Sequence, residues 1–165
     1  MYILPKTAKN IFNKLERMVN FMKVKDCMCN QVCYCTPNTT INEVARKMNE
    51  NHIGCIPVCD NNNCVVGIVT DRDIILRAVA CNKDINTAVS EIMTCNASCC
   101  DCNSDLKEAS KLMGEQQIRR IPVTENGKLV GILTLGDIAR NQQISNEFVG
   151  KTAECICGCN DKNAQ

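Results

Sequence analysis

The sequence predicts an α+β fold built from two β-α-β-β-α repeats, and three observations carry that prediction. Gly67-Ile68-Val69-Thr70-Asp71-Arg72-Asp73-Ile74 returns as Gly131-Ile132-Leu133-Thr134-Leu135-Gly136-Asp137-Ile138. A shift of 65 residues carries Asp26-Cys27-Met28 onto Glu91-Ile92-Met93, Ile41, Glu43 and Met48 onto Leu106, Glu108 and Met113, and Ile53 and Ile56-Pro57-Val58 onto Ile118 and Ile121-Pro122-Val123. Past the hairpin the shift is 64, because Glu125-Asn126-Gly127 makes a turn one residue shorter than its counterpart. A length change confined to a turn is what a duplicated unit tolerates.

Residues 1–22 come first, with Ile11, Leu15, Met18, Val19 and Met22 forming the apolar stripe of an amphipathic helix. The first repeat spans 23–82. Val32-Cys33-Tyr34-Cys35-Thr36 reads as a short strand broken by Pro37. Thr40-x-x-Glu43 opens a helix as a capping box, and Ile41, Val44, Ala45 and Met48 supply its buried face. The helix runs out near His52. Gly54-Cys55-Ile56-Pro57-Val58 is the second strand, Asp60-Asn61-Asn62-Asn63 a turn, and Cys64 to Thr70 the third strand. Asp71 to about Cys81 closes the repeat as a helix with Ile74, Ile75, Ala78 and Val79 apolar. Residues 83–90 connect, 91–144 repeat the plan, and 145–165 form a polar, cysteine-bearing tail expected to be loosely held.

A chain of 165 residues and 18.3 kDa can bury one solid core or two small lobes sharing one. Its formal net charge of +1 gives no sequence-wide field to recruit nucleic acid or acidic lipid. No apolar run approaches a membrane span, and the N-terminus lacks the apolar centre of a signal peptide, so a cytoplasmic protein is expected. In that compartment the fifteen cysteines read mainly as reduced core and surface thiols.

The chemistry concentrates in the two repeated turns. A strand that turns at once into a helix points free backbone N–H groups at whatever lies above it, which suits a phosphate or a sugar hydroxyl. The same Thr-x-x-Asp spacing also makes a helix capping box, which needs no ligand.

The paired Ile-Pro-Val strands, the Gly-x-x-Thr-x-x-Asp turns and the Met closing each first helix resemble a tandem pair of CBS (cystathionine β-synthase) domains, a Bateman module, over roughly Val24 to Gln143. The resemblance implies two lobes related by a pseudo-twofold, adenosine ligands in the clefts between them, and a homodimer. Asp73 and Asp137 resemble the family's ribose-binding acids, with Thr70 and Thr134 beside them. A carboxylate can accept both hydroxyls of a cis-diol. Arg119 and Arg120, ahead of Ile121-Pro122, match positions where nucleotide-binding members grip phosphates, as guanidinium groups do well. Arg72, next to Asp71, adds a further positive charge. Thr36 matches a residue lining the adenine pocket, along with the backbone near Cys55, Ile56 and Pro57. The second copy has Asp101 in place of Thr36, an acid that would repel a phosphate, so the two clefts are not expected to bind one ligand equally.

The implied function is regulatory: a module sensing AMP, ADP or ATP, with S-adenosylmethionine, NAD and cyclic dinucleotides as further candidates. It reports occupancy to an effector protein, and no cofactor is required. An enzyme is not expected, because His52, the sole histidine, aligns with Gln117 and no nucleophile or phosphate-loop signature is present. Direct nucleic-acid binding is not expected either, since the leader is too short for a helix-turn-helix domain. The alternative from another class is a cysteine-based metal or redox protein on the same scaffold, with Cys155, Cys157 and Cys159 as ligands. Their Cys-x-Cys spacing departs from the usual zinc pattern.

Overall fold

The computed structural model describes residues 22–158, so the leader stripe before Met22, and Cys159, lie outside the described residues. Contacts sort the chain into two compact units. Among the described residues, one holds Asn30–Asp101 and Pro122–Ile132; the other holds 22–29, Cys102–Ile121 and 133–158.

In the first of these units, helix α1 (Ile41–Glu50) opens on the expected capping box. Thr40 Oγ1 accepts from Glu43 N at 3.2 Å, and the Glu43 carboxylate accepts from Thr40 N at 2.9 Å. Those bonds hold the Glu43 carboxyl below its ordinary range. Ile41, Val44 and Met48 are buried, while Ala45 is half-buried. His52 ends the helix with a left-handed φ of 53°, and Gln117 does the same in the second copy at 53°. The lone histidine is therefore a helix terminator.

Strands β1 (Cys55–Cys59) and β2 (Val65–Thr70) pair antiparallel with Cys55 opposite Thr70 and a bulge at Val58/Cys59. β3 (Thr94–Cys95) adds to the far edge of β2. It lies against Gly67, where a Cβ would come within 2.8 Å of both the Met93 sulfur and the Thr94 carbonyl. The close approach of β3 thus explains the glycine that begins the repeated motif. After Thr70 comes helix α2, made of a turn Asp71–Asp73, a π-helical stretch Ile74–Ala78 and a 3₁₀ turn Val79–Cys81. Ala78 and Ile74 join the core with Cys35, Val44, Ile56, Val58, Val69 and Ile92. Ile75 and Val79, read from the sequence simply as apolar, are 59% and 67% exposed.

The expected strand Val32–Thr36 does not form. Only Cys35 bridges to β1, donating to the Pro57 carbonyl at 3.1 Å and accepting from Cys59 N at 2.8 Å. The next rung would need an N–H from Pro57, which has none, so the proline that marks the motif truncates the ladder. The counterpart, β4 (Cys100–Asp101), is a two-residue parallel strand beside β5 (Arg120–Glu125), and β6 (Lys128–Thr134) completes the order β4-β5-β6. Asn126 and Gly127, at φ 50° and 79°, give the tight turn between β5 and β6 its left-handed pair. The longer first turn has a use of its own. Asp60 Oδ1 accepts from Asn62 N and Cys64 N, and Asn63 then bonds Leu129 in both directions, at 2.9 and 3.1 Å.

The second unit contains α3 (Leu106–Glu115), α4 (Leu135–Arg140) and α5 (Asn146–Cys157). Leu106, Met113, Leu133 and Ile138 are fully buried. In the described part of the tail expected to be loosely held, Asn146–Cys157 form instead the twelve-residue helix α5, capped by Ser145 Oγ accepting from Phe148 N. It buries Thr152 and Ile156 and lies against α3 and α4. Its contact with α3 is close, since a Cβ on Gly114 would lie 2.8 Å from Cys155 Cβ.

One arrangement was not legible in the sequence. Ile41, Val89 and Ser90 donate to the carbonyls of Thr87, Thr39 and Pro37; Leu106, Val24 and Lys25 donate to those of Met22, Ser104 and Cys102. The two sets are related by the 65-residue shift, but the segment ahead of each repeat serves the other one. Residues 87–90 seat on the start of α1, and 22–25 on the start of α3.

Candidate functional site at the two strand-to-helix turns

The two turns fold alike to the atom. In the first, Asp73 Oδ2 accepts from Thr70 N at 2.9 Å and Thr70 Oγ1 at 2.7 Å, while Thr70 Oγ1 accepts from Asp73 N at 3.1 Å. In the second, Asp137 Oδ2 accepts from Thr134 N at 2.9 Å and Oγ1 at 2.6 Å, and Thr134 Oγ1 accepts from Asp137 N at 3.1 Å. Both aspartates therefore cap their own helices. Each capping box uses one carboxylate oxygen and leaves the other, Oδ1, turned away from the threonine.

An arginine that sequence reasoning missed faces each Oδ1. Arg77 Nη1 lies 3.3 Å from Asp73 Oδ1 and is held as well by the Ile92 carbonyl at 2.9 Å and Thr94 Oγ1 at 3.2 Å. Arg140 Nη2 donates to Asp137 Oδ1 at 2.7 Å from a side chain that is 77% exposed. The i,i+4 and i,i+3 spacings were the signal available in the sequence. An exposed pair such as Arg140–Asp137 contributes about 0–1 kcal/mol. Two hydroxyl hydrogen bonds, at about 1 kcal/mol each, are enough to displace it. The triply held Arg77 resists displacement more.

The strands bring further candidates to the turns. Asp71 N donates to the Gly54 carbonyl at 3.2 Å, and Leu135 N to the Arg119 carbonyl at 3.0 Å. Cys55, Ile56 and Pro57 are buried on β1, and Ile121 and Pro122 on β5, so they offer backbone and floor rather than reactive side chains. Arg119 and Arg72 are exposed and Arg120 half-buried. Among the described residues neither Arg119 nor Arg120 has an ion-pair partner. Thr36 follows Cys35, the residue that bridges to β1. Its hydroxyl meets that of Thr39 at 3.1 Å, and it lines an open groove of about 440 Å³ with Val32, Tyr34 and Lys47, which takes in none of the turn residues.

The sequence model of the CBS domain matches residues 24–79 and 89–143, covering both turns. The chain belongs to the CBS-domain family. The CBS domain-containing protein YhcV of Bacillus subtilis is 45% identical over 127 residues, 77% of this chain and 89% of the relative. Among solved CBS pairs, Hypoxic Response Protein I with two coordinated zinc ions is 34% identical, with a TM-score of 0.68 over 73% of this chain and 98% of that one. CBSX2 in complex with AMP is 28% identical, TM-score 0.63, over 72% and 93%. The CBS pair of MJ0100 in complex with 5′-methylthioadenosine and S-adenosylmethionine is 29% identical, TM-score 0.66, over 79% and 98%.

The cysteines of the CBS pair divide by burial. Burial pushes the Cys35 thiol up to about 12 and Cys59 up to about 11, and raises Cys99 as well. Cys29, Cys81, Cys95, Cys155 and Cys157 are exposed. Iodoacetamide at pH 8 is expected to label these five and to spare Cys35 and Cys59, read by peptide mass spectrometry. A raised thiol pKa stabilises the fold fully below the unfolded value, near 9, and that contribution is lost as pH climbs through the folded value. Stability should therefore fall between about pH 9 and 12, and Cys35→Ala should shallow that fall. No helix among the described residues is long and apolar enough to cross a membrane.

Proposed function

We propose that this CBS pair is a regulatory module that binds an adenosine nucleotide of the AMP, ADP or ATP class at its two turns and passes the occupancy to a partner protein. The observation that supports it most is the matched pair of turns, each with one carboxylate oxygen committed to the capping box and the other facing only an arginine. That second oxygen is the acceptor a ribose diol needs. The AMP-bound and methylthioadenosine-bound relatives share adenosine as the common part of their ligands.

A ligand that prefers one arrangement of the module shifts its population, which is how binding becomes a signal. The face of α2 formed by Ile75, Leu76 and Val79 is apolar and exposed, which supports a homodimer as the assembly that reads the shift. The test is a thermal-shift panel of AMP, ADP, ATP, S-adenosylmethionine, NAD and cyclic dinucleotides on the parent chain and on Asp73→Ala/Asp137→Ala. At a hundredfold excess over Kd, a bound ligand adds about 2.7 kcal/mol. That stabilisation should be present in the parent and absent from the double variant. Adenosine-ligand shifts that survive both substitutions would remove the assignment.

The zinc-bearing relative favours one second reading, a metal protein on the CBS scaffold. Among the described residues no three His, Cys, Asp or Glu side chains gather to hold a metal ion. Cys155 and Cys157, two apart on a helix, do not share a face. Elemental analysis of chelator-free protein decides it: stoichiometric zinc that vanishes when Cys155, Cys157 and Cys159 become Ser would promote this reading.

A further inference from the structure

Resting on the adenosine reading above, we propose that the two turns sort ligands by charge. The second copy takes a nucleotide carrying a phosphate, and the first takes a nucleoside whose 5′ end is uncharged.

Gly54 and Arg119 hold equivalent places, each bonded through its carbonyl to the first N–H of the helix that follows its turn. What stands beside them differs. A Cβ built on Gly54 would lie 2.5 Å from Asp71 Oδ2 and 3.1 Å from Asp71 Cγ. The Asp71 carboxylate therefore fills the space where the side chain of residue 119 begins in the other copy. It is fixed there by Arg72 N, which donates to Asp71 Oδ1 at 2.8 Å. The first turn thus already carries an anion of its own against the strand, with a backbone donor committed to it. A phosphate brought to that spot meets a like charge.

The second turn reverses each feature. Leu135 replaces Asp71, so no acid stands over the strand, and Arg119 replaces Gly54. Arg119 and Arg120 lack ion-pair partners among the described residues, which leaves their guanidinium groups for a ligand's phosphate. Balance of charge separates the copies too. Asp71 and Asp73 are matched by Arg72 and Arg77 in the first copy, while in the second Arg119, Arg120 and Arg140 outnumber Asp137 even with Asp101 counted beside it. Gly54 and Asp71 form one compatible pair and Arg119 and Leu135 another, because a side chain at 54 would push the Asp71 carboxylate out of the place it now occupies.

Isothermal titration of the full chain with AMP and with adenosine tests this. The parent should bind one AMP per chain tightly. Arg119→Ala/Arg120→Ala should weaken AMP about ten- to a hundredfold and leave adenosine within about twofold. Gly54→Arg/Asp71→Leu, which installs the second copy's pair in the first, should raise AMP to two per chain. If that double variant does not fold, Asp71→Asn alone should strengthen AMP at the weaker site. Two equal AMP sites in the parent, or arginine variants that weaken AMP and adenosine alike, would overturn the inference while leaving the adenosine reading in place. A parent that binds neither ligand would end both.

Discussion

Gly67→Val is expected to destabilise the chain by roughly 2–3 kcal/mol, although it places a strong strand former in the middle of a strand. Local propensity alone predicts the opposite sign. Opposition comes from β3: the new Cβ would meet the Met93 sulfur and the Thr94 carbonyl, each at 2.8 Å. The methionine can swing aside, but the carbonyl belongs to a backbone paired at Ile68↔Thr94 and cannot move without breaking that rung. Urea unfolding should show a lower midpoint at unchanged slope, and melting should fall by about 5–10 °C. Adding Met93→Ala should recover only part of the loss, because the carbonyl remains. A neutral or stabilising result would mean that β3 does not lie where the structure puts it. Gly67 begins the motif that ends in Thr70 and Asp73, so the same variant should also weaken any ligand held at the first turn.

The second large effect is expected at the tail. Gly114→Leu should cost about 1–3 kcal/mol or undock α5, because the nearest atom is Cys155 Cβ and the Cys155 backbone follows at 3.8 Å. Undocking would expose Thr152 and Ile156, now only 6% and 4% exposed. Hydrogen exchange should then lose protection across 146–157 while α1 and β1 keep theirs. A milder pair isolates the contact. Gly114→Ala alone should destabilise, and Gly114→Ala with Cys155→Gly should cost less than the sum of the two single changes. Strict additivity would show that the helices do not touch there.

Several features could be read from the residues because they are local. Thr40-x-x-Glu43, Thr70-x-x-Asp73 and Thr134-x-x-Asp137 are capping boxes whose donors and acceptors lie three residues apart, so spacing alone determines them. The α5 helix was equally local, with Ser145 as its cap and Phe148, Thr152 and Ile156 at helical spacing. Its polar composition hides that spacing, since only Thr152 and Ile156 along it are buried. The short lead-in pairing at Cys35 was legible in principle too, given a proline with no N–H on the partner strand.

By itself, then, the sequence determined the duplication, the order of strand and helix within each copy, and the two acid-bearing turns, since all of these follow from periodicity and near-neighbour chemistry. Only the tertiary structure decided which lead-in segment serves which repeat, which arginine faces each aspartate's second oxygen, and that the Asp71 carboxylate rests over Gly54. The physical reason is distance along the chain. Contacts between residues tens of positions apart depend on how whole elements pack, and apolar burial, which drives that packing, is non-directional and leaves no fixed spacing in the sequence.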